Sequence, residues 1–216
     1  MSMLTLGASA VTATGAPAVA HRASATRVIV VRPVNASGHA EPGFPITSGG
    51  RYPIDCRFPT PSAGAVSPNI EFCFPTALSA VACWKAAAPH KALCMRDPRS
   101  HQLTRFGRTG RFAPTGLAPA DQRAPLSIVL GDGDHCEIRA GGAWSSPPGH
   151  PHLVGYYSCV HDGAVWAHLG ALHNGINESQ PLWTVRTAHF NDRNLVTRRV
   201  VRAYFVGTAT HQTTKL

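Results

Sequence analysis

Between residues 126 and 206 apolar, β-branched and aromatic side chains gather in short runs separated by turn-forming residues, the composition and length of successive strands. Leu126-Ser127-Ile128-Val129-Leu130 is one such run; Gly131-Asp132-Gly133-Asp134 halts it, and Cys136-Glu137-Ile138-Arg139 reads as the returning strand. The runs 155–160 and 164–167 flank His161-Asp162-Gly163, whose Asp-Gly step suits a tight hairpin turn. Runs 182–187 and 200–206 have the β-branched and aromatic content of two closing strands. Upstream, Val28-Ile29-Val30-Val31 is a short β-branched run that Pro33 ends, since proline brings no N–H to a ladder. Residues 35–67 are rich in Gly, Pro and Ser with little periodicity and read as an irregular arm pinned by Cys56; residues 97–125 read as loop. Over 76–88 a helix capped by Thr76, with Ala77, Ala80 and Ala87 as good formers, competes with a hairpin that turns at Pro89; the hairpin is preferred.

Composition supports this reading. Twenty Gly and 18 Pro in 216 residues favour turns and extended segments over long helices. With 44% hydrophobic and only 14% charged residues, the chain can bury a core and lacks the charge excess of a disordered one. The expected fold is mainly β, a small loop-rich antiparallel sheet or barrel-like domain with disulfides. Its expected organisation is an export segment at 1–25, an irregular arm with one short strand at 26–67, a disulfide-braced β-rich domain at 68–208 and a flexible tail at 209–216.

The export reading rests on residues 3–20, which carry no charge and are mostly Ala, Val, Leu, Gly and Thr, with small-x-small sites at Ala18-Val19-Ala20 and Ala23-Ser24-Ala25. No Lys or Arg precedes the apolar stretch, which departs from the usual pattern of a cleaved leader. No later window is apolar for the roughly 18 residues that a spanning helix needs. Six cysteines, at 56, 73, 83, 94, 136 and 159, form an even set without the close pairs of structural zinc sites, so disulfides are expected in an oxidising compartment. Cys83 and Cys94 could face each other across a hairpin of the runs 81–85 and 92–96, Cys136 and Cys159 lie on successive strand-like runs, and Cys56 and Cys73 remain for each other. That is one choice among about fifteen connectivities.

The ordered motifs Pro-Asn-Ile-Glu-Phe-Cys (68–73), Cys-Glu-Ile-Arg-Ala-Gly-Gly-Ala-Trp (136–144), Gly-Tyr-Tyr-Ser-Cys (155–159), Trp-Thr-Val-Arg (183–186) and Ala-Tyr-Phe-Val-Gly (203–207) resemble a group of small secreted proteins of mycobacteria and related actinobacteria. The resemblance covers roughly residues 50–208. It implies secretion or attachment to the cell envelope, and a framework of Cys, Trp and Gly; it implies no chemistry.

Charge adds a functional clue. The net charge is +9, so anionic partners are expected: an envelope component or an acidic protein surface, with specific nucleic-acid binding disfavoured outside the cell. Lys91, Arg96, Arg99, Arg105, Arg108 and Arg111 are offset locally only by Asp97, and Phe106 and Phe112 are interleaved with the last arginines. Arg96, Arg99, Arg105, Arg108 and Arg111 are therefore the candidate anion-binding residues, with Arg198, Arg199 and Arg202 as a second strip. Neutral imidazoles make His150, His152 and His161 the candidates for a metal or general-base site, beside His168 and His173 and with Asp162 as a carboxylate partner, although their spacing fits no familiar ligand motif. Asp132, Asp134 and Glu137 read as a tight acidic turn rather than a calcium loop. Trp84, Trp144, Trp166 and Trp183 are expected to pack in the core. Neither a Gly-x-Ser-x-Gly turn nor a phosphate-binding Gly-Lys-Thr loop occurs. The sequence thus favours a secreted or envelope-associated, non-enzymatic interaction protein that needs no cofactor, against a secreted hydrolase or metal-dependent enzyme using His150, His152, His161 and Asp162.

Overall fold

The computed structural model describes residues 23–75, 78, 80–141, 146–161 and 163–210. The chain is mainly β, with strands β1 (Arg27–Asn35), β2 (Ile46–Ser48), β3 (Ile54–Pro61), β4 (Glu71–Phe74), β5 (Ala82–Lys85), β6 (Lys91–Met95), β7 (Leu103–Thr109), β8 (Ser127–Leu130), β9 (His135–Ile138), β10 (Leu153–Cys159), β11 (Gly163–His168), β12 (Thr184–His189) and β13 (Val196–Ala209). They form two closed sheets. In the first, β3 to β7 follow one another, and the ring closes where β7 pairs in parallel with β3; β2 joins β7 further back, also in parallel. In the second, β8 to β13 follow one another antiparallel, and β13 returns to pair with β8. The length of β13, 14 residues, lets it carry β12 along its first part and β1, in parallel, along its second.

Alternation explains how these strands bury their side chains. In β13, Val200, Ala203 and Phe205 fill the second ring, with Ile128, Leu130, Tyr157 and Val165. The intervening Tyr204 and Val206 face the other way, into a layer shared with Val31, Val34, Trp84, Leu93, Met95 and Leu103. Strand β8 is buried on both faces for the same reason, so Ile128-Val129-Leu130 is continuously apolar and even Ser127 is covered. The first ring is small and filled largely by sulfur: Cys56, Cys73, Cys83 and Cys94 pack there with Ile54, Ala92 and Phe106. Trp166 is fully buried and donates its ring N–H to the Ala188 carbonyl at 3.1 Å; Trp84 lies in the shared layer and Trp183 packs against the second ring. Core packing thus holds for these three tryptophans.

The disulfides are Cys56–Cys73, Cys83–Cys94 and Cys136–Cys159, the set chosen from the sequence. Two of them join residues directly opposed on neighbouring strands, β5 with β6 and β9 with β10. The preferred hairpin after residue 80 is β5–β6. The hairpins turning at 131–134 and after Cys159 also form where expected.

Two expectations are corrected. Residues 26–67 are not an arm with one short strand but contain β1, β2 and β3, and Val31, Val34 and Ile54 are core residues. Their partners lie far along the chain: Arg27 opposite Arg202, Ile46 opposite Leu103 and Ile54 opposite Arg108, so local periodicity carries no sign of them. Residues 97–125 are not all loop, because β7 inserts Leu103 and Phe106 into buried layers. The export segment lies outside the described residues as far as residue 22, as do Thr76, Ala77, Trp144, Asp162 and residues 211–216 of the tail. Among the described residues no helix is long and apolar enough to cross a membrane.

A glycine sets the spacing between the sheets. Just past β1, Gly38 has φ of +79°, and a Cβ there would fall 2.5 Å from the Lys85 carbonyl oxygen and 2.6 Å from the Ala87 nitrogen. Ala87 N–H donates to the Gly38 carbonyl at 3.0 Å. Only glycine allows this turn to sit directly on the end of the β5–β6 hairpin.

Candidate functional site

The basic segment is taken apart by the fold. Arg96, just past β6, reaches to the second sheet and pairs with Glu137 on β9 at 2.8 Å. Asp97 caps the following 3-10 turn by accepting from the Arg99 amide at 2.9 Å, accepts from the Ser127 hydroxyl on β8 at 3.0 Å, and has the Arg99 guanidinium 3.6 Å away. These contacts staple the sheets together, so Arg96 and Arg99 already have anionic partners. Arg108 turns towards the buried Glu71, bonds the Gly110 carbonyl and lies over the Phe112 ring, 5.4 Å from its centre. Five arginines therefore do not form one anion-binding strip. Arg105 and Arg111 are exposed, and neither has an ion pair among the described residues.

What replaces the strip is a smaller cationic face. On the β6–β7 pair Lys91 opposes Gly107 and Leu93 opposes Arg105, so Lys91 and Arg105 share a face at diagonal positions, about 7 Å apart at their backbones. Both are exposed and without an ion pair among the described residues. The second strip is also divided. Arg198 pairs with Asp132, whereas Arg199 and Arg202 are exposed, and β1 sets Arg27 directly opposite Arg202. No sequence spacing could have placed Arg27 there.

The histidines separate. The Nε2–H of His150 donates to the Arg193 carbonyl at 2.9 Å, His152 is exposed, and the Nδ1–H of His173 donates to the Arg123 carbonyl at 3.0 Å. Among the described residues no group of three His, Cys, Asp or Glu side chains is placed to hold a metal ion. His161 has a different setting. Its Nδ1–H donates to Asp134 Oδ1 at 3.0 Å, and the same oxygen accepts from the His135 amide at 2.8 Å. Because Asp134 is buried and fixed, it sets the ring and leaves Nε2 as the basic nitrogen of the neutral imidazole. A cleft of about 250 Å³ beside the Cys136–Cys159 bridge is lined by His161, Asp134, Asp132, His189, Asp192 and Arg198, among others. His189 was not legible beforehand: it arrives there because β12 pairs with β11, opposite Gly163. Asp132 and Glu137 are both paired with arginines, Arg198 and Arg96.

Glu71 is the other residue that sequence reading passed over. It is fully buried, and neither carboxylate oxygen makes a hydrogen bond of normal geometry among the described residues. Burial pushes its pKa up to about 7, against the pull of the Arg108 guanidinium and the Ala113 amide. A signal was present: Glu71 lies two positions from the inward-facing Cys73 on β4, so strand alternation turns it inward too.

No family model, no curated protein and no solved structure matches the chain.

Proposed function

We propose that the protein is an exported, non-enzymatic binding module that engages anionic surfaces of the cell envelope. The observation that carries this reading is the shared face of Lys91 and Arg105, two exposed cations without acidic partners among the described residues in a chain of net charge +9. Three disulfides fit an oxidising compartment. Retention on vesicles containing phosphatidylglycerol, or on an immobilised acidic polysaccharide, is expected to fall steeply with salt, because exposed charges are screened. Lys91→Gln with Arg105→Gln is expected to weaken retention several-fold, and Arg111→Gln to weaken it further. Arg198→Gln, which removes a cation already paired with Asp132, serves as the comparison and is expected to change it little. Equal retention of all variants, or retention that salt does not reduce, would refute the proposal.

A second reading has one observation in its favour. The His161–Asp134 pair resembles the base-and-orienter half of a hydrolytic site, and His189 lines the same cleft. Cys159 is bridged and Thr187 is buried, so attack would fall to water activated at His161 Nε2. Turnover of ester or phosphodiester substrates that disappears in His161→Ala would establish this reading; turnover unchanged by that substitution, or none at all, would dismiss it.

A further inference from the structure

The cationic face and the histidine cleft leave unused a concavity that bridges the two sheets. A groove of about 550 Å³ opens between the end of β1 and the tip of the β5–β6 hairpin, the same junction that Gly38 holds close. Ala36, Pro68, Trp84, Phe112 and Pro114 give it mainly apolar walls, and its volume lies in the range of small-molecule sites.

The polar groups around it are unbalanced. No carboxylate lines the groove, and Lys85 is the sole cation among the described residues that line it. Lys85 is exposed and forms no ion pair among the described residues. Three of the side-chain acceptors are already engaged. Asn35 Oδ1 accepts from the Ser37 and His39 amides, Ser67 Oγ from the Thr208 amide, and Asn69 Oδ1 from the Thr115 amide. One buried donor is also unsatisfied. Trp84 is 3% exposed, and its ring N–H has no hydrogen-bond partner among the described residues, a rare state for a buried indole. An apolar trough with one unpaired ammonium at its rim and no carboxylate among the described residues is complementary to a molecule with an apolar body and an anionic end.

We infer that this groove binds an amphipathic carboxylate, a single medium-chain fatty acid, with its chain along Trp84 and Phe112 and its carboxylate at Lys85. Calorimetric titration of the intact disulfide-bonded protein with dodecanoate, kept below its micelle concentration, is expected to show saturable one-to-one binding. Lys85→Gln, at an exposed position, is expected to weaken binding about tenfold, and dodecanol is expected to bind correspondingly less tightly than dodecanoate. Ala36→Trp, which fills the groove from an exposed position, is expected to abolish binding while leaving the melting temperature unchanged; Trp84→Phe then reads the indole donor separately. Arg105→Gln is expected to leave dodecanoate binding intact, which distinguishes this site from the surface described above. Absence of saturation, indifference to Ala36→Trp, or dodecanol binding as tightly as dodecanoate would overturn the inference.

Discussion

Glu71→Gln is expected to raise stability by up to about 3 kcal/mol near pH 8 and to change it little near pH 5. The sign follows from the direction of the shift. Burial holds the folded pKa near 7, above the ordinary value of 4.5, so in that window the unfolded chain has released its proton while the folded chain retains it. Stability therefore falls as pH rises from about 4.5 to about 7, and it stays low above that range. Glutamine keeps the shape and removes the ionisation, so the variant loses this descent. Arg108 opposes the effect, and its attraction is already contained in a folded pKa as low as 7. Urea denaturation of both proteins at the two pH values, with the bridges intact, measures the difference directly. Parallel pH profiles for wild type and variant would show that the Glu71 carboxyl is not the group responsible.

Opening the Cys136–Cys159 bridge, by changing both residues to alanine, is expected to cost about 3 kcal/mol. In the chain-entropy picture the cost follows from the 23-residue separation that the bridge closes in the unfolded chain. The separations of 17 and 11 for the other bridges give values of similar size, about 3 kcal/mol each. A domain of ordinary stability holds only about 5–15 kcal/mol in all. Full reduction is therefore expected to unfold the protein at room temperature, read as loss of near-ultraviolet dichroism and exposure of Trp166. The first ring is especially dependent, since four half-cystines form much of its interior. Persistence of native dichroism in strong reductant would show that apolar packing alone suffices.

The hairpins were legible because both halves of the signal lie close together. Around β8–β9 and β10–β11, a short apolar run, a Gly or Asp-Gly turn and a cysteine next to that turn all agree, and one hairpin's length sets the register. The basic segment was legible as charge but not as arrangement. Arg96 and Arg99 found ion-pair partners in Glu137 and Asp97, while Arg108 turned towards the buried Glu71 on another strand.

By itself the sequence determined that the chain would be β-rich, where its local hairpins would turn, and which cysteines could face each other across them. These depend on a side-chain period of two and on turn chemistry, both confined to neighbouring residues. Tertiary structure alone decided that there are two closed sheets, that β1 runs beside β13, and that His161 shares a cleft with His189. Those outcomes depend on burying the outer faces of both rings in one common layer, and on contacts between residues up to 175 positions apart, such as Arg27 and Arg202. A repeating local pattern states which face of a strand is apolar; it does not state which distant strand will cover it.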